Sequence, residues 1–316
     1  MQDEIVFSGV DVAKAEFVVA TSPAGAQLHL RNERAAIAKW LRSLAPGSFI
    51  AMESTGQYHQ TLAQLASQAG MRVYVLNARD VHFYAKALGV RGKTDISDAQ
   101  VIARYLDEHH QRLRPWTPGT QAQQRLLQLL RRRAAVERHL SAVDASLQGV
   151  KDLTRQRAAL QRYAHKLLAT IDQKIQALID ADADMHRRQK QLQTIAGVGP
   201  QISAVLTTVL SRIEFANVAA VVAYSGLDPR PNDSGSKRGR RVLTKRGPAV
   251  LRKMLWLAAF SASHSKAFGP TYQAIKSKGF SGTEALVILA RKLLRVAWAV
   301  WRTGQPFEPG KVLPAA

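Results

Sequence analysis

Apolar residues fall in short clusters over the first hundred positions, and in long stripes spaced by three and four beyond residue 120. Ile5 to Val10 is a brief apolar run ending at Asp11, and Glu16 to Thr21 follows closely. Ser22-Pro23-Ala24-Gly25 has turn chemistry, and Gln27-Leu28-His29-Leu30 alternates as a half-exposed strand does. The pattern predicts a three-strand meander. A helical pattern covers 33–44, closed by Pro46-Gly47, and Phe49 to Met52 makes a fourth strand ending at Glu53. Another helix over 57–69 is closed by Gly70, and Arg72 to Leu76 is a fifth strand. The order βββαβαβ followed by a helix predicts a ribonuclease H-like layout rather than a doubly wound sheet.

From 120 to 195 there is no proline and a single glycine, Gly149. Leu126, Leu129, Val136, Leu140, Val143, Leu147 and Val150 keep helical spacing, with Arg133 interrupting; Leu160, Tyr163, Leu167, Ile171, Ile175 and Leu178 form a second stripe. Two long amphipathic helices follow, a hairpin or coiled coil, each about 45 Å long at 1.5 Å per residue. They read either as a dimerisation arm or as helices packed on their own domain. Further on, Ile195-Ala196-Gly197-Val198-Gly199-Pro200 precedes the apolar helix Ile202 to Leu210. Such a glycine-rich link lets backbone N–H groups of Gly197 and Gly199 approach a phosphate, although a plain interhelical turn has the same composition. Ser281 to Glu284 is a capping box opening a helix that Gly304 closes, with Leu286, Leu289, Leu293, Val296 and Val300 on its core face.

Charge separates these regions. The net charge is +22, from 45 Lys and Arg against 23 Asp and Glu. Residues 1–100 carry 10 basic and 9 acidic side chains, residues 101–190 carry 17 and 9, and residues 191–316 carry 18 and 5. A near-neutral front and a polycationic remainder point to phosphate backbone as partner, since each neutralised phosphate releases counterions. A basic ribosome-associated protein is the plainer alternative. The absence of cysteine excludes disulfides and thiolate metal sites and fits a reducing cytoplasm. No apolar run reaches the roughly 18 residues of a membrane span, and Met1-Gln-Asp-Glu-Ile has no basic stretch of a secretory signal. The expected architecture is α/β plus α, in three parts: 1–112, a helical region 113–190, and a mostly helical 191–316.

Four carboxylates stand out by position. Asp11 ends the first strand and Glu53 the fourth; Asp95 and Asp98 lie three apart at a helix start, on one face. Strands one and four are neighbours in a ribonuclease H-like sheet, so Asp11 and Glu53 meet at one end. Clustered carboxylates repel unless a cation neutralises them. Hard oxygen ligands suit Mg2+ or Mn2+, and a pair of such ions can clamp both oxygens of a phosphodiester exchange. Singly, Asp95 could be only an N-cap, Asp98 a dipole-favouring acid, and Asp11 a phosphate-loop acid of the sugar kinase and actin class.

Gly9-Val10-Asp11-Val12-Ala13-Lys14, Met52-Glu53-Ser54-Thr55-Gly56 and Lys93-Thr94-Asp95-Ile96-Ser97-Asp98-Ala99 resemble the RuvC-like DEDD domain of the insertion-sequence "one-ten" transposase family, including its "eleven-eleven" branch. The resemblance runs through nearly the whole chain. It implies that Asp11, Glu53, Asp95 and Asp98 are the metal-binding catalytic tetrad, and that 1–112 is the RuvC-like domain, 113–190 a coiled-coil region and 191–316 the C-terminal transposase domain.

The stretch from Tyr224 to Arg241 is rich in turn formers, and from Lys237 to Arg246 six of ten residues are basic: Lys237, Arg238, Arg240, Arg241, Lys245 and Arg246. Glycines within such a run let it follow a phosphate backbone. Residue chemistry alone does not choose a nucleophile among Ser225, Ser234 and Ser236. The resemblance does, since Ser234-Gly235 matches the family's Ser-Gly element, whose serine is the nucleophile. Arg252, in Gly247-Pro-Ala-Val-Leu-Arg252, matches the family's glycine-to-Leu-Arg element and is a candidate DNA or RNA contact, or else a surface helix arginine. The resemblance further implies donor and target DNA as partners, an element-encoded bridge RNA that chooses them by base pairing, and a homodimer assembling into a tetramer. In that assembly the acids of one protomer face the serine of another, a covalent phosphoserine forms, and the work is done at the bacterial nucleoid. The main alternative is a RuvC-like metal-dependent junction resolvase in which water attacks and Ser234 is incidental.

Overall fold

The computed structural model describes residues 6–311, apart from 24, 26, 55–57, 91, 93, 232, 235, 236 and 240. Of the residues named above, Arg240, Gly235 and Ser236 therefore lie outside the description, as do Met1 to Ile5, Ala24, Thr55, Gly56 and Lys93. The chain forms two compact units, 1–118 and 119–316.

The first unit is built on β1 (Phe7–Val12), β2 (Glu16–Ser22), β3 (Leu28–Arg31), β4 (Phe49–Glu53) and β5 (Arg72–Leu76), in the order β3-β2-β1-β4-β5. β1, β2 and β3 pair antiparallel, whereas β4 runs parallel to both β1 and β5. That is the ribonuclease H order and sense. Side chains alternate across the sheet. Val10, Val12, Ile50, Met52 and Val73 pack against α1 (Arg34–Leu41) and α2 (His59–Gln68) through Ile37, Trp40, Leu62 and Ala66. The opposite face, with Phe49, Ala51, Tyr74 and Leu76, is covered by α3 (Ala78–Ala87) and α4 (Asp95–His109) through Val81, Ile102 and Leu106.

The second unit is helical: α5 (Gln121–Ser146), α6 (Thr154–Asp180), α7 (Ala183–Gln193), α8 (Pro200–Arg212), α9 (Val218–Ser225), α10 (Ala249–Ala262), α11 (Gly269–Ser277) and α12 (Gly282–Thr303). The span 120–195 thus holds three helices rather than two, because Asp182 caps a new helix with hydrogen bonds from the backbone N–H groups of Asp184 and Met185. α5 and α6 have 26 and 27 residues, about 40 Å each. Their lower ends (Leu126, Leu130, Ile175, Ile179) share one core with Leu192, Leu206, Leu255, Leu289 and Leu293. α12 begins at the Ser281–Glu284 capping box and ends on Gly304 in the left-handed conformation, as the sequence predicts.

Arg133, the interruption in the apolar stripe, is buried to 6% exposure and holds Asp172 across the hairpin through Nε and Nη2 at 2.5 and 3.1 Å. Removing Asp172 would leave the buried guanidinium with only the longer ion pair to Glu137, at 3.7 Å. Asp172→Ala is therefore expected to lower stability by about 3 kcal/mol, whereas an Arg133→Met/Asp172→Leu double change recovers most of it. Thermal melting checks both; equal melting of Asp172→Ala and the parent would refute the pairing.

Candidate active site

Asp11 and Glu53 sit at the carboxyl ends of adjacent parallel strands. The β1–β4 register pairs Val10 with Met52, so one further step brings Asp11 opposite Glu53. By strand alternation both acids lie on the face covered by α4, with Gly9 and Ala51. α4 crosses that face so closely that a Cβ on Gly9 would stand 2.1 Å from the Ala103 nitrogen and 2.3 Å from the Ala99 oxygen. Its direction is set at both ends. Ser22, opposite Phe7 at the start of β1, donates to Asp107 near the helix C-terminus at 2.7 Å. Ile96 and Ala99 pack on Val18 and Ala20, the partners of Asp11 and Gly9. α4 therefore runs antiparallel to β1, and its first turn lies at the end of the sheet that carries Asp11 and Glu53. The buried stripe Ala99, Ile102, Leu106 continues one turn toward the N-terminus into Asp95 and Asp98.

Neither of those acids is the helix cap. Thr94 takes that position in a reciprocal box with Ser97: the Ser97 N–H donates to Thr94 Oγ1 at 3.1 Å, and the Thr94 N–H to Ser97 Oγ at 2.9 Å. The four carboxylates thus lie toward the same end of the sheet. Among the described residues, no three His, Asp or Glu side chains close into a group that could hold a metal ion. The donor set itself, four carboxylates and no sulfur or imidazole, fits a hard divalent cation.

Ser234 lies on a hairpin between α9 and α10. β6 (Pro229–Arg230) pairs with β9 (Val242–Leu243), and inside that ladder β7 (Asp233–Ser234) pairs with β8 (Lys237–Arg238), Ser234 opposite Lys237. Ser234 is exposed. Ser225 is not: it is fully buried, its hydroxyl donates to the Val222 carbonyl at 2.6 Å and accepts from the Leu227 N–H at 3.2 Å. That hydroxyl has a structural task and no access to a phosphate. Ser236 lies outside the described residues.

The feet of the hairpin are pinned. The Lys245 N–H donates to the Gly226 carbonyl at 3.1 Å, the Thr244 N–H to that of Asp228 at 3.0 Å, and the Thr244 hydroxyl to the Asp228 carboxylate. Gly226 caps α9 in the left-handed conformation, and a Cβ on Gly247 would fall 1.7 Å from the Tyr224 oxygen. Arg252 Nη1 donates to the carbonyls of Ser225 (at 3.2 Å) and Gly247, one on each foot. Burial lowers the pKa of this guanidinium. In this structure Arg252 holds backbone.

The other cations divide by place. Arg241, Lys245 and Arg246 are exposed on the returning limb, and Lys237 and Arg238 belong to β8. Gly197, at φ +89°, faces α10: a Cβ there would meet the Ala258 oxygen at 2.4 Å. The close approach it serves is between helices. Gly199 is the N-cap of α8, with nothing within 4 Å of a Cβ built on it.

Residues 8–150 match the DEDD family of IS110 elements, described as Transposase, and residues 189–273 match the Transposase IS116/IS110/IS902 family. The chain belongs to the IS110 family of transposases. Among its relatives is a Pilin gene-inverting protein of Moraxella bovis, 29% identical over 271 residues that cover 81% of either chain. A putative transposase of Sinorhizobium fredii is 26% identical over 97% of this chain and 86% of its own. A probable family 20 transposase of Pseudomonas aeruginosa is 24% identical, with 96% and 98% covered. A T. thermophilus RuvC in complex with a Holliday junction substrate is 13% identical and covers 36% of this transposase and 100% of its own chain at a TM-score of 0.29. The strand order, rather than that superposition, carries the fold. This transposase is a DNA recombination enzyme with a sheet of the ribonuclease H order, and none of its described helices is long and apolar enough to cross a membrane.

Sequence reasoning missed two positioning groups of the transposase. Thr94 was legible in principle, as a cap residue with serine three positions on. The Arg252 clamp was not, because its acceptors are backbone carbonyls that no sequence pattern marks.

Proposed function

We propose that this transposase cuts and rejoins donor and target DNA through a phosphoserine link at Ser234, assisted by divalent ions held by Asp11, Glu53, Asp95 and Asp98, within the parts 1–112, 113–190 and 191–316. The observation that supports the reading is the β1–β4 register, which sets Asp11 beside Glu53 at the end of the sheet where the first turn of α4, with Asp95 and Asp98, also lies. Mg2+ or Mn2+ bound there would supply Lewis-acid stabilisation of the charge that builds on a phosphodiester.

The chain's own groups then account for the exchange. Ser234 Oγ forms a bond to phosphorus as the strand's P–O bond breaks; the hydroxyl proton passes to solvent base and the departing strand oxygen takes one up. The reverse attack by another strand's hydroxyl releases the serine and rejoins DNA with no energy source needed. Exposed Arg241, Lys245 and Arg246, with Lys237, Arg238 and Arg240, offer charge to the nucleic-acid backbone. The name of the Moraxella bovis relative favours this over resolution by water, since inverting a gene requires rejoining as well as cutting. Guidance by a bridge RNA and assembly as a tetramer of two dimers complete the reading. Its support is the second unit, with 32 basic against 12 acidic residues over 119–316, and the long helical hairpin.

A denaturing gel of the transposase incubated with Mg2+ and its element's DNA ends is the test. Protein-linked DNA that disappears in Asp95→Asn and Asp98→Asn supports the reading; cleaved strands without any linked protein would establish the resolvase chemistry instead.

A further inference from the structure

α12 carries its apolar residues inward and a row of cations outward. Arg291, Arg295, Trp298 and Arg302 follow one another at spacings of four, three and four, which keeps them on one stripe of the helix. The three arginines are exposed, and Trp298 is half-buried between them with the Arg302 guanidinium 5.1 Å from its ring centroid. None of the three forms an ion pair with a described residue. The acid at the head of the stripe, Glu284, is occupied in the helix cap, accepting from the Ser281 N–H at 3.0 Å and hydroxyl at 2.8 Å. Beside the stripe, Lys292 is half-buried, and its pKa is lowered by that burial and then by the charge of Arg295.

Like charges four apart on a helix repel and weaken it. Elsewhere in this chain exposed arginines of helices are relieved by acids one turn away, as Arg104 is by Glu108 and Arg187 by Asp184. On α12 no such acid is supplied, so the repulsion is left for an external anion to relieve. The planar fork of arginine suits phosphate, and an indole within the row adds a flat face for a base or sugar.

We propose that Arg291, Arg295 and Arg302, with Trp298 between them, form a second track for nucleic-acid backbone, separate in sequence from the Ser234 hairpin. From Arg291 to Arg302 the row spans eleven helical rises, about 16 Å, enough to pass four or five phosphates of a strand at about 3.4 Å each. The ligand chemistry is the phosphodiester, which duplex DNA and folded RNA both present. The inference rests on the reading of the chain as a nucleic-acid enzyme.

The test measures affinity against salt concentration, for duplex DNA and a structured RNA in separate arms. In the Arg291→Ala/Arg295→Ala/Arg302→Ala variant the salt slope is expected to fall by about 2 to 3, at roughly 0.9 per phosphate contact on duplex. A loss on DNA only, or on RNA only, identifies which polymer the track holds. The comparison variant Arg104→Ala/Arg157→Ala/Arg187→Ala removes the same charge from ion-paired positions and keeps the parent slope. Arg295→Glu, a single exposed change, gives the same direction of effect in a protein whose melting matches the parent. An unchanged slope in the stripe variants, or an equal fall in the comparison variant, overturns the track. A parent protein that binds neither polymer overturns the underlying functional reading as well.

Discussion

Ser234→Ala is expected to abolish the protein–DNA covalent product and to slow strand exchange by at least about a thousandfold, the scale on which loss of a nucleophile is felt. Stability should barely change. The residue is exposed on a two-residue ladder, and surface substitutions of this kind stay within about 0.5 kcal/mol. Ser225→Ala makes the contrasting pair: it removes a buried hydroxyl with two hydrogen bonds, so melting falls while any protein that remains folded still forms the adduct. A denaturing gel and a melting curve separate the two. Adduct retained in Ser234→Ala would remove this hydroxyl from the chemistry.

Gly9→Ala is expected to be the most damaging single methyl group in the first unit. The new Cβ would collide with backbone nitrogen and oxygen of α4, at 2.1 and 2.3 Å, and neither atom can rotate away as a side chain can. Overpacking of this kind costs about 3 kcal/mol or more. Relief requires α4 to lift from β1, which carries Asp95 and Asp98 away from Asp11 and Glu53. Recombination should therefore be lost even in protein that still folds. Measured melting and activity equal to the parent would show that α4 does not press on β1.

The first unit was largely legible because its strands are short, bounded by turn chemistry, and end on acids; alternation and the βββαβαβ order were enough to place Asp11 beside Glu53. The first turn of α4 was legible too, although the sequence offered Asp95 as its cap and the structure gives that position to Thr94. The second unit was harder. Periodicity found α5, α6 and α12, but an unbroken polar stretch concealed the change from α6 to α7, which depends on one aspartate bonding two backbone groups. The hairpin around Ser234 read as an irregular loop since its ladders are two residues long, too short for any alternation to register. Arg133 looked like a flaw in an apolar stripe; its partner stands 39 residues away, a distance that spacing rules do not reach.

That buried arginine also divides α5 and α6 into two kinds of helix. Below it the residues join a common interior, while from Ala134 to Lys174 not one is buried. Glu137, bonded to Lys253 of α10, and Ile171, packed on the core, mark the inner edge of that stretch; beyond them the helices are held by their own hydrogen bonds and by each other, so opening there is governed by local propensity, not by the cooperative unfolding of the globule. Away from Glu137 and Asp172, which pair with Lys253 and Arg133, single replacements in that outer stretch cost about tenths of a kilocalorie, where the same replacement at Leu126 or Ile179 costs whole ones. The molecule thus keeps a region in which sequence is free to drift without endangering its interior.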